Sequence, residues 1–322
     1  MSSIFRRASA TVLVLLLCLA AAGCNGGDED LDDRLQVVTT IGMITDIVEE
    51  VGGDRVRVSG LMGPGIDPHL SRASAGDVRT LAAADVVFYN GLMLEAAMAE
   101  VLAEMDGRTR TRAVTDGIDR EHLLRPPEFE GAFDPHVWSD VRLWMKAVEE
   151  VAQVLAEMDP EGAEAYEERT RAYLEELEEL DVWVREQVAS VPEELRVLVT
   201  AHDAFNYFGR AYDFEVRGLQ GLSTATEAGA GDVQDLARYI ADRAIPALFV
   251  ESSIAPRTIE AVRAAVRARG GQVEIGGTLF SDAMGDPGTP EGTYPGMVRH
   301  NVRTIVDALA PGGNSNGGGG SP

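Results

Sequence analysis

A chain of 322 residues exceeds the size at which one hydrophobic core usually stops growing, so two domains of ordinary size are the first expectation. Hydrophobic residues at 45% and charged residues at 25% exclude wholesale disorder. With 53 Asp+Glu against 28 Lys+Arg, the net charge of −25 argues against a nucleic-acid partner, whose phosphates need a basic footprint, and reads first as a solvated acidic coat.

The chain opens with MSSIFRRASATVLVLLLCLAAAGC, where Arg6 and Arg7 precede an apolar run that ends in small residues. This is the pattern of a secretory signal over residues 1–23, and the run is too short to span a bilayer. Its ending resembles a bacterial lipobox, which makes Cys24 the first mature residue and the carrier of a lipid. Cys18 falls in the removed segment, so the mature chain has one cysteine and no internal disulfide. Residues 24–35 are polar and read as a flexible tether.

Beyond the tether, strand and helix alternate. Strands are expected at 36–40 and 56–61, helices at 43–51 and 75–84, and a buried strand in DVVFYNG. Alternation of this kind predicts an α/β lobe of mostly parallel sheet over 36–159. The pattern then turns to long helix, with one connecting helix over 160–191 bounded by Pro160 and Pro192. A second α/β lobe follows over 192–310, with strands in LRVLVTAHDAF, YDFEVRGLQG, AIPALFVESS and QVEIGG. Residues 311–322 form a Gly-rich tail of low complexity.

Five histidines are present, and two share an Asp-Pro-His triplet: GPGIDPHL carries His69 and FDPHVW carries His136. Proline stiffens each loop and biases the preceding Asp toward extended geometry, so each imidazole is presented from a rigid backbone. His202 follows the strand RVLVTA, and Asp282 lies in LFSDAMG after QVEIGG. Open α/β sheets gather ligands at the carboxyl ends of strands, so His69, His136, His202 and Asp282 are expected on loop tips as a shared metal site. Asp67 and Asp134 are candidates to fix the imidazole tautomers. His122 and His300 fall outside the pattern, Met93 and Met98 read as core fillers, and Asp203 and Glu251 read as carboxylates that hold loops. The sequence has no GxSxG, CxxC, HExxH or Walker-type glycine loop.

The blocks VVTTIGMITDIVEEVGGDRVRVSGLMGPGIDPHL, ADVVFYNGLMLE, FDPHVW, TAHDAFNYFGRAYDFEVRGLQGLST, FVESSI and IGGTLFSDAMG closely resemble the TroA-like zinc/manganese-binding proteins of bacterial ABC importers. The resemblance runs from about residue 36 to 309. It implies two α/β lobes joined by one long helix, with one divalent ion, Zn2+ or Mn2+, held in the cleft by His69, His136, His202 and Asp282. It also implies a non-enzymatic, exported monomer, lipid-anchored on the outer side of the cytoplasmic membrane or in the periplasm, that hands its ion to an ABC permease with its ATPase. Manganese-selective members commonly have Glu where His202 stands, and many zinc-selective ones carry a His-rich loop absent here around 117–131. Three imidazoles and a carboxylate suit zinc and admit manganese. Two other readings are a metal-dependent envelope hydrolase, which would need an open coordination position, and a surface adhesin lipoprotein with incidental histidines.

Overall fold

The computed structural model describes residues 34–127 and 131–310. The expected signal 1–23, Cys24, most of the tether and the 311–322 tail lie outside the described residues. Among the described residues no helix is long and apolar enough to cross a membrane.

The first lobe is built on a four-stranded sheet of β1 (Leu35–Thr39), β2 (Val56–Gly60), β3 (Val86–Tyr89) and β4 (Arg110–Ala113) in the order β2-β1-β3-β4, with every pair parallel. The central strands bury Val37, Val38, Val86, Val87 and Phe88, which explains their unbroken apolar runs. Three helices, α1 (Gly42–Gly52), α2 (Ala75–Ala82) and α3 (Ala99–Asp106), link the strands. Ser74 starts α2 with a capping box: its hydroxyl accepts from the Gly76 and Asp77 amides, and Asp77 accepts from the Ser74 amide.

In the second lobe β5 (Val197–His202) pairs in parallel with β6 (Glu215–Gln220), and β7 (Ala247–Glu251) with β8 (Glu274–Leu279). Strands β5 and β7 run side by side without sharing a ladder. Helix α6 (Asn206–Tyr212) follows β5, while α7 (Ala230–Arg243) and α8 (Arg257–Ala268) cover one sheet face through Leu236, Ile240, Ile259, Val262 and Val266.

Between the lobes run α4 (Val141–Met158), α5 (Ala163–Val188) and the terminal α9 (Tyr294–Leu309). The connecting helix α5 has 26 residues, about 39 Å of axial length. It buries Tyr166, Tyr173, Leu177, Leu180, Val184 and Val188 along one stripe against α1, α4 and α9. The core they share continues from α1 into Leu198, Phe249 and Leu279 of the second sheet, so the lobes rest on a common apolar spine.

The predicted alternation holds at nearly every element, with boundaries displaced by one to three residues. Helix α3 and strand β4 were not legible. Strand β4 reads Arg-Thr-Arg-Ala, a short edge strand whose long charged side chains hide its period. Met98 is buried as expected, but Met93 is 71% exposed, because Gly91, Leu92 and Met93 all adopt positive φ and turn that side chain outward. At Gly91 this geometry leaves no room for a side chain: an added Cβ would lie 2.9 Å from Ala113 Cβ and Thr115 Oγ1.

Candidate metal centre

Each of the four expected residues comes from a different segment. His69 lies in the turn after β2, His136 at the start of the short 3-10 turn Val137–Ser139 that leads into α4, His202 is the last residue of β5, and Asp282 follows β8. The expectation of loop tips needs correction. His202 is within its strand, while His136 lies in the loop that leads into the 3-10 turn, and all four residues are at most 4% exposed. Each lobe covers the other's strand ends, which removes from water positions that a single lobe would expose.

The two Asp-Pro-His triplets fold alike. Asp67 Oδ1 accepts from the His69 amide at 2.9 Å, and Asp134 Oδ1 accepts from the His136 amide at 3.0 Å. These are Asx turns, with the proline as the stiff middle residue. Beyond the turn their roles diverge. Asp134 Oδ1 also meets His136 Nδ1 at 2.8 Å, whereas Asp67 turns its second oxygen to the Thr224 hydroxyl at 2.6 Å. The tautomer role expected of both aspartates belongs to Asp134.

Glu251 takes the corresponding role for His202. Its Oε2 meets His202 Nδ1 at 2.6 Å, while Oε1 accepts from the amides of Ala201 and His202 at 2.7 and 2.9 Å. This carboxylate therefore bridges β5 and β7 where their backbones do not pair, and it does more than hold a loop. Asp203 does the simpler job, accepting from the Gly218 amide at 2.8 Å. Gly218 lets the strands approach this closely, since a Cβ there would fall 2.5 Å from the His202 carbonyl carbon.

With Nδ1–H of His136 and of His202 given to carboxylates, the Nε2 lone pairs turn inward. His136 Nε2 lies 3.3 Å from His69 Nε2 and 3.3 Å from His202 Nε2. Asp282 faces all three rings, with Oδ2 3.8 Å from His69 and 3.2 Å from His202, and Oδ1 3.5 Å from His136. A tetrahedron with bonds of about 2.1 Å has edges of about 3.4 Å, so the cluster has the dimensions of a first coordination sphere. Both Asp282 oxygens are buried without a hydrogen-bond partner among the described residues, an arrangement that costs stability unless a cation satisfies them.

Burial, opposed in part by Asp282, pulls His69 down to about 3, so this ring is neutral and ready to ligate. For His202 burial works in the same direction, but the carboxylates of Glu251 and Asp282 overcome it and raise the group well above its ordinary value. Burial would raise Asp282, and the three imidazoles instead hold it below the usual carboxylate range. Without a cation, the two carboxylates favour the protonated form of His202, and any ligand role for its Nε2 is in competition with protons.

Several supporting residues were missed in the sequence. Trp138 donates from Nε1 to the Ser281 carbonyl at 2.8 Å, which fixes the backbone next to Asp282, and its ring stands edge-on to His136. Asn301 clamps Phe280, accepting from its amide and donating to its carbonyl. Tyr207 donates to the Asp134 carbonyl, and Asn90 donates to the Pro135 carbonyl. Trp138, Asn90 and Tyr207 stand within blocks quoted above, but they act on residues 143, 45 and 73 positions away, respectively, which no local pattern reveals. Of the remaining histidines, His300 on α9 donates from Nε2 to the Thr278 carbonyl of β8, and His122 is exposed beside Asp119 and Glu121, apart from the cluster.

Comparison with known proteins agrees with this geometry. A family model for ZnuA, the periplasmic component A of the zinc-uptake complex, matches residues 37–308. The chain is 53% identical to the zinc-binding protein TroA of Treponema pallidum (strain Nichols) over 283 residues, which is 88% of this chain and 91% of that one. It is 46% identical to the manganese-binding lipoprotein MntA of Bacillus subtilis (strain 168) over 301 residues, covering 93% and 98%. The solved structure of the periplasmic zinc-binding protein TroA from Treponema pallidum superposes with a TM-score of 0.85, covering 86% of this chain and all of that one. With its two parallel-sheet lobes and its inward-facing cluster, the chain belongs to the ZnuA family, whose members are solute-binding components of metal ABC importers and not enzymes.

Proposed function

We propose that this protein captures one divalent transition metal, zinc or manganese, outside the cytoplasm through His69, His136, His202 and Asp282, and delivers it to an ABC permease driven by its ATPase. The observation that carries the reading is the convergence of three Nε2 atoms on a buried carboxylate that has no hydrogen-bond partner among the described residues. Two of those rings have their tautomer set by a carboxylate. A cation entering the cluster replaces the proton on His202 and satisfies Asp282. Because His69 and His136 come from one lobe and His202 and Asp282 from the other, the ion ties the lobes together. The apolar spine along α5 keeps the accompanying motion small.

The family model is named for zinc uptake, and the relatives above are named for zinc in one case and manganese in the other. The imidazole at His202 supports zinc, since intrinsic affinity at such sites rises from manganese toward zinc. Cys24 carries the lipid that tethers the monomer to the membrane. A hydrolase reading has no support in the family, and Glu251, the carboxylate nearest to a general base, is already committed to three hydrogen bonds.

Calorimetric titration of chelated protein with zinc and manganese tests the site. His136→Ala and Asp282→Ala are each expected to abolish stoichiometric binding, while His122→Ala binds like wild type. Unchanged binding in both site variants overturns the assignment.

A further inference from the structure

The two Asp-Pro-His aspartates share a second feature. Each uses Oδ1 for its own turn and offers Oδ2 to a side chain from the other lobe. Asp67 Oδ2 accepts from the Thr224 hydroxyl at 2.6 Å, and Asp134 Oδ2 accepts from Asn206 Nδ2 at 3.0 Å. The carboxylate that closes each Asp-Pro-His turn is thus held from across the cleft, so the position of the turns and the closure of the lobes are one event.

The two links are not equivalent. Asp134 is fully buried, and its turn has other anchors: the Tyr207 hydroxyl on its carbonyl, Asn90 on the Pro135 carbonyl, and its own amide on the Leu124 carbonyl. Asp67 lies at the rim. The preceding residues Gly63, Pro64, Gly65 and Ile66 are exposed, as is Leu70 beyond the turn. On the opposite side, Thr224 is turned inward and is 7% exposed, although Ser223 and residues 225–227 around it are exposed.

We infer that Thr224 is a positioning residue whose hydrogen bond to Asp67 latches the His69 turn to the second lobe and sets the rate of metal release. The inference rests on the metal-capture reading above. When the latch opens, His69 is free to leave His202 and Asp282 with the rim loop, while His136 stays seated on its interior anchors. The ion then loses one imidazole first, from the solvent side, and release proceeds through that opening. Asn206 holds the side that does not move, so its removal has the smaller effect on release.

The test is stopped-flow release of zinc from the full chain into excess chelator, alongside the association rate and the melting of metal-free protein. Thr224→Val is expected to accelerate dissociation about tenfold, the effect of removing one hydrogen bond to a partly buried carboxylate, with association nearly unchanged. Thr224→Ala should match it, Thr224→Ser should restore slow release, and Asn206→Ala should change release less. Wild-type release in both Thr224→Val and Thr224→Ala overturns the latch, and so does a Ser variant as fast as Val. A wild-type protein that takes up no zinc removes the metal reading and the latch with it, whereas normal uptake with unaltered release removes the latch alone.

Discussion

Replacing Glu251 by Gln tests how the site prepares His202, because the substitution keeps the shape and removes only the charge. In the wild type Oε1 accepts from two backbone amides, and Oε2 receives the proton on His202 Nδ1 at 2.6 Å. Glutamine has two orientations here, and both are unfavourable. If its oxygen keeps the two amides, its NH2 faces Nδ1, which must then accept, and the ring proton moves to Nε2, the atom the metal needs. If it is flipped, two buried amide donors face another donor, each at a cost of about 1–3 kcal/mol. Removal of such an imidazole partner weakens metal binding about ten- to a hundredfold, or about 1.4 to 2.8 kcal/mol. Competition titration against a chromophoric chelator, with zinc and separately with manganese, measures the loss. Its pH dependence carries a sign. Glu251 raises the proton affinity of His202, so protons compete with the metal more strongly in the wild type than in the variant. The deficit of the variant is therefore largest in alkaline solution and narrows as the pH falls. Equal affinity of the two proteins at pH 8 would refute the reasoning.

Away from the cluster, Asp46 on α1 accepts from the Tyr173 hydroxyl at 2.6 Å, and burial raises its carboxyl to about 7 from 3.8. A raised folded-state value means that the native state holds this proton longer than the unfolded chain does. Its contribution is thus fully present below about pH 4 and lost as the pH rises through 7. Asp46→Asn removes that dependence, so its stability relative to wild type should improve between pH 5 and pH 8, by about 3 kcal/mol at most. Urea unfolding of metal-free protein at both pH values reads this, and a pH-independent difference would contradict it. Cys24→Ser should move the mature protein from the membrane fraction to the soluble fraction in detergent phase partitioning, and unchanged partitioning would remove the lipid from Cys24.

Much of this architecture was visible in the chain because parallel strands buried on both faces are written as short, unbroken apolar runs, as in residues 85–89 and 197–201. Three of the cluster residues were visible for a related reason: His202 ends such a run, and His69 and Asp282 lie in the loops that leave the carboxyl ends of β2 and β8. His136 was visible through the repeated triplet. The rest depends on adjacency between segments far apart in sequence. Glu251 meets His202 only because β7 lies beside β5, and Trp138 reaches Ser281 only because the lobes close on each other. Asp67 and Asp134 look identical in sequence, yet the ring of His136 turns toward its aspartate while Asp67 turns to Thr224. Burial of the cluster was hidden for the same reason, since each lobe alone would leave these strand ends in water. Met93 was misread because apolar character does not reveal a run of positive φ.

The measurement that bears most directly on metal capture is the elemental content of the protein as purified from cells without added metal, taken by mass spectrometry and repeated after chelation and titration with zinc and manganese. Near-stoichiometric zinc or manganese that a chelator removes, and that returns on titration of wild type but not of His136→Ala, is the expected result. Protein that is purified empty and takes up neither ion would contradict the assignment of His69, His136, His202 and Asp282 to a metal.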